Sequence, residues 1–205
     1  MAVQEIRIND KISYIKASEN PLSADIGIIR DNGTTWLFDV GDGENKVPLL
    51  QEGYHVVLSH FHQDHTGNIG KLPITQLFVS KETGKHIPGG TIVSESLEIG
   101  DLHIFPLPSS HAKGCLGLEV DHEYAFVGDA LYCRRKNGYY GYNAQLLKEE
   151  IAVLKSLQAP FLLVSHHEGL IRKKEEVLEE LEEIYAMRVP GEPEIQLTAG
   201  NEAAE

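Results

Sequence analysis

Residues 59–68 read Ser-His-Phe-His-Gln-Asp-His-Thr-Gly-Asn and follow the apolar run Val56-Val57-Leu58. Three of the chain's ten histidines fall in this one stretch, with an aspartate between them. Imidazole nitrogens and carboxylate oxygens are directional ligands for divalent metal ions. In the pattern His60-x-His62-x-Asp64-His65, the alternate residues His60 and His62 converge on one point if the backbone is extended. Asp64 and His65 come after the bend and would face a second point. An aspartate at that position would also be favoured by the N-terminus of a following helix. Surface histidines in a loop are the plain alternative. Four ligand types in six positions at a strand end make metal binding the better explanation.

Three further segments share the form of an apolar strand ending in a ligand-type residue. They end in His111 (FPLPSSH), Asp129 (YAFVGD) and His166-His167 (FLLVSHH). Asp39, in LFDVGDG, closes an earlier strand, although a turn aspartate ahead of Gly41 would look the same. Taken singly, each is weak.

The elements that must position these residues are short, apolar and rich in β-branched side chains. Segments 5–8, 12–17, 24–30, 34–39, 55–59, 76–80, 102–107, 115–120 and 124–129 all read as strands separated by turn residues. Helical periodicity is expected over Asp64 to Leu72, Asn143 to Leu157 and Arg172 to Tyr185. In the last of these, Val177, Leu178, Leu181, Ile184 and Tyr185 form an apolar stripe opposite a glutamate-rich face. Residues 1–188 are expected to be one catalytic domain. Residues 189–205 lack periodicity and read as a flexible tail.

Composition narrows the function classes. The formal charge is −13, from 18 Lys and Arg against 31 Asp and Glu. General nucleic-acid and anionic-membrane binders carry the opposite balance. No stretch approaches the ~18 apolar residues of a membrane span. The two cysteines do not make a disulfide framework, so a reduced cytoplasmic protein is expected.

In this order, the motifs resemble those of the metallo-β-lactamase superfamily of hydrolases, over about residues 12–187. That family shows an Asp after an early strand, then H-x-H-x-D-H, a later His, an Asp and a last His. Here they stand as Asp39; His60, His62, Asp64 and His65; His111; Asp129; and His166. The resemblance implies an α+β fold, the four-layer αββα sandwich, and a site for two divalent ions. Zinc is the expected metal, with iron and manganese as alternatives. His60, His62 and His111 would hold the first ion, and Asp64, His65 and His166 the second, with Asp129 bridging both. Asp39 would fix ligand geometry from behind. Asp64 would orient the attacking water or take its proton. At the doubled histidine, the small Ser165 favours His166, whereas alignment on the Gly-His-Glu of glyoxalase II-like thioesterases would select His167.

Departures from subfamilies refine the expectation. Asp129 stands where two-zinc lactamases carry a cysteine, which argues against a β-lactamase; the nearby Cys133 reads as a buried, small apolar residue. Neither the glutathione-gripping helical domain of glyoxalase II nor the arm of ribonuclease Z is visible. A minimal hydrolase of a small ester, thioester, lactone or phosphoester is expected, with a small-molecule substrate and no nucleic-acid or membrane partner. Arg134, Arg135, Tyr139 and Tyr140, just beyond Asp129, would contact an anionic substrate. The alternative is an iron-dependent oxidoreductase on the same fold, of the persulfide dioxygenase type.

Overall fold

The computed structural model describes residues 4–43, 47, 48, 50–136 and 138–197. The chain forms two compact units, Met1–Leu97 and Glu98–Glu205. The first contains β1 (Glu5–Arg7), β2 (Ile12–Ile15), β3 (Ser18–Glu19), β4 (Leu22–Ser23), β5 (Ile26–Asp31), β6 (Thr34–Phe38), β7 (Tyr54–Val57), β8 (Ile74–Val79) and β9 (Thr91–Ile92). Short helices α1 (Gln63–Thr66) and α2 (Thr83–His86) lie between strands. Seven strands form one sheet in the order β1-β2-β5-β6-β7-β8-β9, and β3 and β4 form a separate hairpin.

The core of this unit gathers Ile15, Ile26, Ile28, Leu37, Val40, Tyr54, Val56, Leu58 and Val79. The decisive local feature is that β6 and β7 run parallel, with Phe38 opposite Val57. Their C-terminal ends therefore lie side by side, and the Asp39 amide donates to the Val57 carbonyl at 2.9 Å. The edge of a sheet beyond parallel strand ends is a recurrent place for ligands.

The second unit carries β10 (Leu97–Ile99) at its boundary, then β11 (Leu102–Leu107), β12 (Cys115–Val120), β13 (Tyr124–Gly128), β14 (Arg134–Lys136), β15 (Tyr139–Asn143), α3 (Ala144–Ser156), β16 (Phe161–Val164), β17 (Ile171–Lys173), α4 (Lys174–Ala186) and β18 (Glu194–Leu197). Its main sheet runs β10-β11-β12-β13-β16-β17, and β14-β15-β18 make a smaller one. β13 and β16 are again parallel neighbours, and the Ser165 amide donates to the Gly128 carbonyl at 3.1 Å. Asp129 and His166 consequently leave adjacent strand ends.

Helix α3 begins and ends within a residue of its expected limits. The Asn143 side chain caps it by accepting from the Gln145 and Leu146 amides at 3.1 and 3.0 Å. The helix expected over 64–72 is broken instead. A Cβ at Gly67 would sit 2.1 Å from Asp42 Oδ1, so only glycine lets the loop after β6 approach there. The Asn68 amide is then taken by the Gly41 carbonyl at 3.0 Å rather than by the helix, and only a 3-10 turn over Ile69–Lys71 follows. Helix α4 starts at Lys174 because residues 171–173 pair with β16. Val177 and Leu181 of its stripe are buried, while Leu178, Ile184 and Tyr185 are half-buried.

The tail expectation needs correction over Glu194–Leu197. These residues form β18, antiparallel to β15, with Ile195 and Leu197 buried. Gly141 permits the approach, since a Cβ there would meet the Ile195 carbonyl oxygen at 2.4 Å. Two buried side chains and a strand ladder outweigh the weak local propensity of this segment. Residues 198–205 of the expected tail lie outside the described residues. Among the described residues, no helix is long and apolar enough to cross a membrane.

One buried group sets a pH dependence. Glu150 on α3 is 0% exposed beside the buried Leu147, Ile151 and Leu154. Neither of its carboxyl oxygens has a hydrogen-bond partner among the described residues. Burial pushes its pKa well above the ordinary 4.5, so ionisation is easier in the unfolded chain than in the folded one. Stability should therefore fall as pH rises from about 4.5 toward the raised folded pKa. Glu150→Gln should raise the thermal midpoint at pH 7–8, change it little near pH 4, and flatten the profile between. Parallel pH profiles for the two proteins would contradict this origin.

Candidate metal centre

In the first unit, Asp39 and Ser59 stand at the ends of β6 and β7 and organise the histidines. Asp39 is 0% exposed and adopts φ +60°, a left-handed conformation that turns its side chain back beneath β7. Asp and Asn tolerate this region better than most residues. Its Oδ1 accepts from the Ser59 amide at 2.7 Å. Its Oδ2 accepts from the Ser59 hydroxyl and lies at His65 Nδ1, each at 2.7 Å. Ser59 Oγ is also 2.9 Å from His60 Nδ1.

These contacts select tautomers. An ionised carboxylate can only accept, so the proton of His65 sits on Nδ1 and its Nε2 carries the free lone pair. The single hydroxyl hydrogen of Ser59 goes to Asp39, so Ser59 Oγ accepts from His60 Nδ1–H. That leaves His60 Nε2 as a lone-pair donor as well. His60 Nε2 approaches His62 Nδ1 to 2.9 Å, near the ~3.3 Å that two ligands at about 2.0–2.1 Å from a tetrahedral ion would keep. His65 Nε2 lies 3.4 Å from Asp64 Oδ2, and the Asp64 carboxylate is partly open to solvent. His60 and His65 thus each turn a lone pair toward a neighbouring donor atom, backed by an oriented hydrogen bond, as metal-binding histidines require.

In the second unit, Asp129 Oδ2 lies 3.5 Å from His111 Nε2 and 3.9 Å from His166 Nε2. The Asp129 carboxylate is nearly buried, and both imidazoles are partly exposed. His111 is positioned by Ser109, whose hydroxyl donates to the Ala130 carbonyl at 2.7 Å and accepts from the His111 amide at 3.0 Å. His166 adopts φ +60°, a strained backbone for a residue with a Cβ, of order 1–3 kcal/mol. His167 is exposed.

The clustered side chains are of types that could hold a divalent metal, three imidazoles and a carboxylate in the first unit and two imidazoles and a carboxylate in the second. Such nitrogen and oxygen sets suit zinc and also iron or manganese. Sequence reasoning missed Ser59 and Ser109, whose contacts depend on partners distant in the chain. It also treated Arg134 as available to a substrate, whereas its guanidinium is ion-paired with Glu194 of β18. Arg135 is exposed, with its guanidinium carbon 5.7 Å from the Tyr140 ring centroid. Tyr139 and Tyr140 are half-buried, and so is Cys133, which the sequence suggested was buried. The β14–β15 hairpin is tied to the ligand loops by Tyr142 Oη to the Leu131 carbonyl and by the Asn143 amide to Ser110 Oγ, each at 2.9 Å.

No family model and no curated protein matches the sequence. Solved structures do match. A metallo-β-lactamase from Hirschia baltica superposes with a TM-score of 0.66 at 14% identity, covering 90% of this chain and 98% of that one. The chain has the metallo-β-lactamase fold. An archaeal metallo-β-lactamase superfamily protein from Sulfolobus tokodaii matches at a TM-score of 0.57 and 16% identity, covering 86% of each chain. A mutant flavo di-iron protein from Thermotoga maritima matches at 0.66 and 16% identity over 89% of this chain, which spans 61% of that protein. The fold expected from the order of the motifs is therefore borne out.

Two outcomes follow from the hydrogen-bond pattern. Asp39→Asn, which keeps the left-handed turn but loses the two-acceptor carboxylate, should weaken zinc binding by about 10–100-fold with little loss of fold. Equilibrium dialysis against buffered zinc reads this directly. His166→Ala should lower the number of bound metal ions whereas His167→Ala should not, and the reverse result would make His167 the ligand.

Proposed function

We propose that the two ligand groups serve one dinuclear centre within a single catalytic domain spanning residues 1–188. His60, His62 and His111 would hold one ion and Asp64, His65 and His166 the other, with Asp129 shared. The protein would be a metal-dependent hydrolase of a small ester, thioester, lactone or phosphoester. The observation that carries this reading is the buried Asp39–Ser59 network, which orients two imidazoles as metal ligands. When bound, such ions lower the pKa of water toward about 7 and polarise the bond to be cleaved.

The chain's own groups supply the rest. Asp64 Oδ2 is held beside His65 Nε2 yet reaches solvent, so it would accept the proton of the attacking water and release it. Asp39 keeps His65 in the tautomer that puts the lone pair on Nε2. With Arg134 engaged by Glu194, the exposed Arg135 would pair with a carboxylate or phosphate on the substrate, and Tyr139 and Tyr140 would offer aromatic surface beside it. The charge of −13 disfavours nucleic acid and anionic membrane as partners. Zinc in a reduced, cytoplasmic setting completes the reading.

A second reading, an iron-dependent oxidoreductase on the same fold, draws support from the likeness to a flavo di-iron protein. Metal analysis of untagged protein purified without chelator separates the two: about two zinc ions per chain favour the hydrolase, and one iron the oxidoreductase. At least one of p-nitrophenyl esters, S-D-lactoylglutathione, a homoserine lactone and bis-p-nitrophenyl phosphate should be hydrolysed in a metal-dependent way. His62→Ala should abolish that turnover in a folded protein. Persulfide-dependent oxygen uptake, with every ester and phosphoester left intact, would sink the hydrolase.

A further inference from the structure

Tyr132 lies three residues beyond Asp129 and is half-buried. Its amide donates to the Asp129 carbonyl at 3.0 Å. Its ring stands edge-on to His111, with centroids 6.3 Å apart and planes at 62°. Its hydroxyl donates to the Ser165 carbonyl at 2.7 Å, across 33 residues of sequence. One side chain therefore touches the three segments that carry Asp129, His111 and His166.

The bond to Ser165 has a specific mechanical effect. A peptide unit is planar, so fixing the direction of the Ser165 carbonyl also fixes the nitrogen of His166. The Ser165 amide is held from the other side by the Gly128 carbonyl at 3.1 Å. The His167 amide donates to the Val164 carbonyl at 3.4 Å, so the peptide units on both sides of His166 are held and it is kept at φ +60°, a conformation it would otherwise leave. Relaxation of that backbone would swing the imidazole away from Asp129.

We propose that Tyr132 is a positioning residue for the metal centre: its hydroxyl holds His166 in its strained ligand geometry, and its ring separately braces His111. This rests on the dinuclear reading above. The two contacts predict different losses from two substitutions. Tyr132→Phe removes only the hydroxyl, so it should weaken one of two zinc ions by about 10–100-fold and leave the other unchanged. Tyr132→Ala removes the ring as well and should weaken both.

Competition for zinc between the protein and a chromophoric chelator reads the two affinities without any substrate. In a His166→Ala background, Tyr132→Phe should cause no further loss, because the residue it acts through is gone. 4-Aminophenylalanine at position 132 keeps a donor at the ring's para position and should restore the lost affinity, and it serves as the test should Tyr132→Phe fail to fold. Tyr54→Phe provides a control on a buried hydroxyl, bonded to the Pro48 carbonyl, and should lower the thermal midpoint with both zinc affinities intact. Wild-type zinc affinities at both sites in Tyr132→Phe, or an additive further loss in the His166→Ala background, would overturn this assignment alone. Fewer than two zinc ions in the wild-type protein would overturn the dinuclear reading and this assignment with it.

Discussion

A carboxylate has only acceptors to offer, and Asp39 offers both of its oxygens where no part of it is exposed. Burying a charge without partners is expensive, so this one is retained only because an amide, a hydroxyl and an imidazole all point at it. Those same bonds decide which nitrogen of His65 is protonated and, through Ser59, which nitrogen of His60 is. Everything downstream in that unit depends on this choice. With the protons placed the other way, His60 and His65 would turn N–H groups rather than lone pairs toward His62 and Asp64.

The second unit reaches a similar end by different means. There the ligands are placed by backbone constraint: Gly128 and Ser165 are linked across parallel strands, Ser109 ties the His111 loop to Ala130, and Tyr132 reaches the carbonyl before His166. Asp39 and the His60–His65 stretch follow the ends of the parallel strands β6 and β7, and Asp129 and His166 those of β13 and β16, where side chains from distant segments emerge together on a rigid frame. The strained conformations at Asp39 and His166 sit at these strand ends, where neighbouring bonds over-determine the backbone.

The β14–β15 hairpin shows how the fold alters what a basic stretch can do. Two consecutive arginines suggested a site for an anion. The return of residues 194–197 as a third strand engages Arg134 with Glu194 and leaves Arg135 exposed over Tyr140.

What the sequence determined by itself was local. Four ligand types in six positions, aspartates closing apolar runs, and a helix over about residues 143–157 were legible because each signal fits within one element and its first neighbours. Their order along the chain was enough to indicate the fold. What only the tertiary structure decided depends on strand register and on pairs far apart in sequence. Asp39 meets Ser59 across 20 residues and Tyr132 meets Ser165 across 33. Serine and tyrosine carry no spacing signature, so their roles appear only when parallel pairing brings two strand ends together. The broken helix after His65 and the strand at 194–197 have the same cause. In each, a bond to a distant segment outweighed the local preference, because a backbone group satisfied by a tertiary partner is no longer available to continue the pattern its neighbours suggest.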